Sequence, residues 1–329
     1  MDVSIIIPVY QVELYIEDCL RSVMRQTYNG GMECLLVDDC GEDDSIAIAE
    51  RMVVEYNDTL NENYNLDFEG RGRIRFRILH HERNKGLSAA RNTGIQHATG
   101  DYMFFLDSDD TITTNCITDL MRKAKADPAI ELVQGNTKTY PQKNPDPRTK
   151  EFQLLHAKNN GDVRSCLFEI DQFPAFSWNK LVKRSFVLEH QLWFKEGVLY
   201  EDNLWQFHLI KYLRNVCFVQ DITYIYRVRS NSIMTGTKIK AKAENLGIVY
   251  HEILNDLTKG HEKEEYEYYA KGLAQIYFLY AHASSILKDD FHLCWEKKSL
   301  GSIKVKVLLV ISYILDVTCL GRVLITLRK

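Results

Sequence analysis

The chain has 329 residues, 45% hydrophobic and 26% charged, with a formal net charge of −4; this suits one large globular domain with an appendage, or two domains, and excludes a disordered chain. No excess of Lys and Arg is available to neutralise a phosphate backbone, so nucleic acid is not expected as a partner. The eight Cys stand singly with no C-x-x-C pair, so neither a zinc knuckle nor a disulfide framework is readable, and a reducing, cytoplasmic setting fits best.

The opening "MDVSIIIPVY" has an acid at Asp2, no basic leader and Pro8 after a short apolar run. It reads as a first strand and not as a signal peptide. Through the first third, strand-like runs alternate with helix-like segments: "VSIIIP", "VELYIEDCLRSVMRQ", "ECLLVDD", "SIAIAERMVVEY", "RIRFRILH", "LSAARNTGIQHA" and "YMFFLD". Short apolar runs separated by amphipathic helices predict right-handed βαβ crossovers, a largely parallel sheet and an α/β fold class. Ligands of such sheets bind beyond the carboxyl ends of the strands. That rule gathers Pro8-Val9-Tyr10, Asp38-Asp39 and Asp107 to Asp110 along one rim.

The polar stretch between Tyr56 and Arg73 reads as an exposed insertion, and Tyr140 to Lys150, with three of the six prolines, as a loop. Short strands and helices follow in "FSWNKLVKRSF", "YEDNLWQFHLIKYL" and "VCFVQDITYIYRVRSNSI". From about Lys238 the pattern turns helical, in "KAENLGIVYHEILNDL" and "EEYEYYAKGLAQIYFLYAHASSIL". The expected division is a first domain over 1–236 and a helical C-terminal region over 237–329. Within it, 303–329 is long enough to span a bilayer, with 14 Val, Leu and Ile from Val305 to Leu327. Their favourable insertion, roughly −4 to −8 kcal/mol, is offset by about +5 to +7 kcal/mol for Asp316 and Arg322. A helix lying on a membrane surface, or docked on the protein, therefore fits better than one that spans.

"YMFFLDSDDTIT" carries Asp107, Asp109 and Asp110 at the end of an apolar strand. An acid after a strand is commonly a turn residue or a helix N-cap. Asp107 and Asp109, however, would repel by roughly 3 kcal/mol at an effective dielectric near 20, so a positive group is expected between them. A hard divalent cation, which takes carboxylate oxygens and shares its shell with phosphates, is one such group. Asp110 is expected to cap the next helix.

No G-x-G-x-x-G follows the first strand, no phosphate-loop G-x-x-x-x-G-K-[ST] is present, no H-E-x-x-H is completed and no G-x-S-x-G elbow occurs. Four pieces remain: "SIIIPVY", "LLVDDCGEDDS", "NKGLSAARNTGI" and "FFLDSDD". In order and spacing they resemble the family 2 inverting glycosyltransferases of the GT-A fold, from Val3 to about Ser232. The resemblance implies a nucleotide-sugar donor, UDP by family habit, a saccharide or lipid-linked acceptor, and a divalent cofactor, Mn²⁺ or Mg²⁺. It sets Pro8, Val9 and Tyr10 beside the base, Asp38 and Asp39 on base and ribose, and Lys85 and Gly86 near the nucleotide. Arg91 would brace the site or the sugar. Asp107, Ser108 and Asp109 form the family's D-x-D, with Asp109 on the metal and Asp107 on ribose, sugar or metal. The acid pair Glu201-Asp202 would supply the base, Asp202, with Glu201 beside it. Trp178 and Lys180 would border the acceptor, with core packing the other reading of Trp178, and Arg227, Arg229 or Ser232 would reach the diphosphate. Family enzymes commonly build cell-surface polysaccharides on the inner face of the cytoplasmic membrane, a setting that the C-terminal helix suits.

"FLDSDDTI" also fits haloacid-dehalogenase-like phosphatases, with Asp107 as nucleophile and Asp109 as acid/base. That reading leaves "VDDCGEDDS" and "NKGLSAARN" without a role. A third, a binding subunit with a vestigial site, is opposed by the intact Asp109 and Asp202.

Overall fold

The computed structural model describes residues 1–62, 73–141, 173–229 and 239–257, together with 167 and 265. In chain order these form β1 (Val3–Val9), α1 (Ile16–Met24), β2 (Met32–Asp38), α2 (Ser45–Glu62), β3 (Ile74–His80), α3 (Leu87–His97), β4 (Tyr102–Phe105), β5 (Thr111–Ile112) and α4 (Cys116–Ala126). After them come β6 (Leu132–Tyr140), β7 (Lys180–Lys183), α5 (Arg184–Glu189), α6 (Glu201–Tyr212), β8 (Val216–Arg227) and α7 (Ile239–Asn255).

One eight-stranded sheet has the order β3-β2-β1-β4-β7-β6-β8-β5. Its first four strands are parallel, as the alternating pattern predicts. The rest, which lies outside that alternating pattern, is mixed: β7 runs antiparallel to both β4 and β6, β6 and β8 are parallel, and β5 is antiparallel to β8. Only crossover connections enforce parallel pairing, and the later strands are not linked by the simple β-α-β alternation of the first four.

The apolar run from Ile5 to Val9 in β1 follows from its position with both faces covered. Val3, Ile5, Ile7 and Val9 join a core with Ile16, Cys19, Leu20 and Val23 of α1 and Ile117 and Leu120 of α4. Those four α1 residues recur at helical spacing, and Glu17 and Asp18 in its first turn complement the helix dipole. On the opposite face Ile6 meets α3 so closely that a Cβ on Gly94 would lie 2.3 Å from Ile6 Cγ2. Glycine there lets helix and strand approach.

The stretch read as an insertion after Tyr56 begins instead as helix, since α2 continues to Glu62; 63–72 lie outside the described residues. So do 142–150, the second predicted helix of the C-terminal region apart from 265, and all of 303–329. Among the described residues no helix is long and apolar enough to cross a membrane.

The chain divides into two compact units. The first comprises Met1–Val163, Phe176–Gly197 and Tyr212–Arg229, and holds the whole sheet. The second comprises Arg164–Ala175, Val198–Lys211 and Ser230–Lys329, and so takes most of α6, ahead of the 236/237 boundary read from sequence. Within it Gln206 Nε2 donates to Phe173 O, His208 Nε2 lies 2.9 Å from Asp256 Oδ2, and Leu199 N donates to Asn245 Oδ1.

Candidate active site

Parallel register aligns Val9, Asp38 and His80 at the carboxyl ends of β1, β2 and β3. The residues that follow, Tyr10, Asp39 and His81, therefore stand in a row. Leu106 N donates to Ile6 O, which carries β4 alongside β1 and delivers Asp107 to the same edge of the first unit. Pro8 and Val9 are buried, and Tyr10 is 44% exposed.

Asp39 is buried and occupied. Its Oδ1 accepts from Lys85 N at 2.7 Å and its Oδ2 from Gly86 N at 2.8 Å, and His81 Nδ1 lies 2.7 Å from Oδ1. His81 Nε2 in turn meets Thr93 Oγ1 at 2.9 Å. A carboxylate is suited to this because it accepts several donors at once. Asp39 thereby ties the "NKG" loop to the sheet and sets the start of α3, where Gly86 adopts φ 90°, a conformation that L side chains rarely take. Lys85 itself stays exposed. Asp38 is partly open: Oδ1 accepts from Cys40 N and Oδ2 faces His80 Nδ1, both at 3.0 Å.

The second acid pair of "VDDCGEDDS" braces the rim. Asp43 Oδ2 accepts from Glu13 N at 2.9 Å and Oδ1 from Ser45 Oγ at 2.7 Å, while Ser45 Oγ accepts from Val12 N. These bonds join the loop after β1 to the loop after β2.

Asp107, Asp109 and Asp110 each bring a carboxylate oxygen within 4.8 Å of the others. Their partners differ. Asp107 Oδ1 accepts from Arg91 Nη2 at 3.0 Å; the Arg91 side chain is 1% exposed and its guanidinium lies 5.2 Å from the centre of the Phe194 ring. Asp109 Oδ2 is paired with Arg229 Nε at 2.6 Å. Ser108 is buried between them.

The capping role expected of Asp110 is overturned. Helix α4 begins only at Cys116, and the Asp110 carboxylate instead accepts from Tyr224 Oη and Arg227 N of β8, both at 2.7 Å. The antiparallel pairing of Thr111 with Ile225 brings it there. Burial pushes the Asp110 carboxyl well above the usual carboxylate range, and the charges of Asp109 and Asp107 push it the same way. Tyr224, also buried, completes the bracket by accepting from Asp107 N at 3.2 Å.

Trp178 and Lys180 are both buried. Trp178 stacks between Phe176, at 3.5 Å, and Tyr224, at 4.4 Å, and Lys180 Nζ donates to Phe176 O. The packing reading of Trp178 is thus the one its geometry displays. Arg227 N holds Asp110 while its guanidinium pairs with Asp18 at 2.8 Å. Ser232 lies outside the described residues.

Glu201 and Asp202 open α6 in the second unit, after Tyr200 at φ 64°. Glu201 is buried and Asp202 half-buried. In the first unit, Asn92 makes a two-point contact that sequence reasoning missed: its Nδ2 donates to Phe194 O and its Oδ1 accepts from Phe194 N, each at 2.9 Å. An amide side chain can mimic a strand's donor and acceptor, and this one seats the ring under Arg91. His81, Tyr224 and Phe194 were missed for the same reason. Their pattern is that of ordinary strand and loop residues, and only contacts give them a role.

The family model for glycosyl transferase family 2 matches residues 4–187, and the chain belongs to that family. The match takes in Asp39, Arg91, Asp107 and Asp109, and the phosphatase alternative for Asp107 finds no support. A Bacillus subtilis (strain 168) protein named as a glycosyltransferase, EpsH, is 30% identical over 267 residues, 80% of this chain and 71% of that protein. Among solved structures, S. aureus TarS 1-349 in complex with UDP-GlcNAc has 18% identity and a TM-score of 0.67 over 97% of this chain and 89% of that one. The mannosyltransferase PcManGT of Pyrobaculum calidifontis, in complex with GDP-Man and Mn²⁺, has 16% identity and a TM-score of 0.58 over 98% and 83%. The fold is GT-A, and glycosyl transfer is the activity of the class.

Proposed function

We propose that this glycosyltransferase moves a sugar from a UDP-sugar to a hydroxyl of a saccharide or lipid-linked acceptor, with inversion and with a divalent metal at the D-x-D. The observation that carries the reading is the convergence of Asp107, Asp109 and Asp110 at the end of β4, inside the family match. Three carboxylates with oxygens this close are a donor set for Mn²⁺ or Mg²⁺, both of which take hard oxygen ligands. Asp109 and Asp107 would hold the ion, which when bound neutralises the charge developing on the departing nucleoside diphosphate.

The other roles belong to the chain's own groups. Tyr10 and Asp38, the more open members of the rim, meet base and ribose, while Asp39 acts on the nucleotide through the loop it holds, Lys85 and Gly86. Arg91 fixes Asp107, because its buried guanidinium donates to Asp107 Oδ1 from a held position. Asp202 takes the proton of the attacking hydroxyl, with Glu201 beside it, as inversion needs a base opposite the leaving group. The apolar segment 303–329, flanked by basic residues, would hold the enzyme at the inner face of the cytoplasmic membrane, where polysaccharide precursors are assembled.

Titration calorimetry of UDP and GDP, each with and without Mn²⁺, tests the donor side. Metal-dependent UDP binding in the wild type and its loss in Asp109→Ala are expected; nucleotide binding indifferent to both metal and Asp109 would sink the metal role. Asp202→Asn is expected to bind donor within about twofold of wild type and to lose transfer by a factor of about 10³ or more, on the scale of general base catalysis. Retained transfer in that variant removes Asp202 as the base.

A further inference from the structure

Two arginines meet the acid cluster, and they are held differently. Arg91 is sealed, with its side chain 1% exposed and Phe194 against it. Arg229 sits at the rim: its side chain is 20% exposed and that of Asp109 19%. Its guanidinium lies 5.4 Å from the centre of the Tyr15 ring, and Arg227 lies 5.3 Å from the centre of the same ring while pairing with Asp18. Asp109 Oδ2 thus already faces a positive group at 2.6 Å. Arg91 and Arg229 together set two guanidinium charges against the carboxylates of Asp107 and Asp109 without any added cation.

We infer that Arg229 is the resident counter-ion of Asp109 and that it makes divalent-cation binding depend on the nucleotide. A metal ion ligated by Asp109 and the Arg229 guanidinium compete for the same carboxylate, and two cations at that distance repel. Metal alone must therefore displace Arg229 from its carboxylate, which leaves the guanidinium in need of another anion. A nucleoside diphosphate brings that anion, and a planar guanidinium is suited to its oxygens. Metal and nucleotide then favour each other by the same factor in both directions, as linkage requires. Arg91 cannot take this part, because it is buried and its partner Asp107 is braced from the backbone by Tyr224. The inference rests on the metal reading of the D-x-D and adds to it the residue that couples metal to donor.

The test is a Mn²⁺ titration of the full chain, followed by the electron paramagnetic resonance signal of free Mn²⁺, without nucleotide and with saturating UDP or GDP. In the wild type the nucleotide is expected to tighten Mn²⁺ at least about tenfold, within the usual range of coupling between two ligands. Arg229→Gln is expected to bind Mn²⁺ alone about tenfold more tightly than wild type, with the nucleotide effect reduced by a similar factor. Arg229→Lys, which keeps the charge, should retain most of the coupling. Tyr15→Leu, which removes the ring under Arg229, should shift Mn²⁺ affinity in the direction of Arg229→Gln by a smaller factor, and serves if that variant does not fold. Equal or weaker Mn²⁺ affinity in Arg229→Gln and Tyr15→Leu without nucleotide overturns the inference and leaves the metal site standing. No Mn²⁺ binding in any form, with or without nucleotide, removes the metal reading and the inference with it.

Discussion

The two halves of the sheet are built on different principles. In β3-β2-β1-β4 every pairing is parallel, and the interior is aliphatic: Ile5, Ile6, Ile7, Leu35, Leu36 and Val37 are fully buried. In β7-β6-β8 the interior holds Gln134, Asn136, Thr137, Asn179, Lys180 and Thr223, none more than 4% exposed. Asn179, at φ 59°, is their centre. Its Nδ2 donates to Asn136 O and to Thr137 Oγ1, both at 3.1 Å, and its Oδ1 accepts from Thr223 Oγ1 at 2.8 Å. The network lies at an irregularity in which β8 passes from Phe218 to Ile222 while β6 passes only from Gln134 to Asn136, and Asn136 Nδ2 closes the gap on Gln220 O. Burial drives the first half together without choosing among near-equivalent packings. The second half is specified by directional bonds that fail unless each partner is met. That specification is what presents Tyr224 and Arg227 to Asp110 and Arg229 to Asp109.

The contrast can be broken first in the apolar half. Ile5→Ala is expected to cost about 4 kcal/mol, the sum of lost transfer energy and an uncollapsed cavity, read by denaturant unfolding. A loss under about 1 kcal/mol would mean that the core around β1 repacks freely. In the polar half, Asn179→Ala is expected to cost about 3 kcal/mol and Asn179→Gly about 2, since glycine relieves the positive φ but supplies no amide. If the two variants are equal, backbone strain plays no part; if Gly matches wild type, the hydrogen bonds do not matter and the contrast falls.

The smallest effect sharpens the comparison, because the apolar half also buries a carboxylate within its strands. Glu33, opposite Ser4 in the register, accepts from Ser4 Oγ at 2.6 Å and from Thr99 N at 2.6 Å and Oγ1 at 2.8 Å, with Arg77 at 3.5 Å. Burial pushes its carboxyl up, but these donors and the Arg77 charge together hold it below the usual glutamate range. Its contribution to stability is therefore complete above the unfolded-state pKa and is lost as pH falls through the lower folded-state value. Stability of Glu33→Gln, followed by urea unfolding between pH 7 and pH 3, should fall less steeply with acid than that of wild type. An identical slope in both would show that Glu33 does not carry the acid sensitivity of this edge.

Much of the candidate site was legible in the sequence. Apolar runs of β length with helical segments between them leave few arrangements for the first four strands, and the strand-end rule then places Tyr10, Asp38, Asp39 and Asp107 on one edge. The antiparallel β7 was not legible, because "NKLVK" states no partner and no direction. The sequence showed acids at Asp39 and Asp110 but not their occupation. Whether a carboxylate faces a ligand, a loop amide or a tyrosine depends on what other segments bring within about 3 Å, and those segments are remote in the chain, as with Lys85 for Asp39 and Tyr224 for Asp110.

By itself, then, the sequence determined the class of fold, the parallel half of the sheet and the positions of the site's acids, since these follow from periodicity and from residues next to one another in the chain. Only the tertiary structure decided which acid is held by Arg91, which by Arg229 and which by β8. Charge pairing and hydrogen bonding act over a few ångströms in space, and no local pattern in the chain records which distant group will arrive.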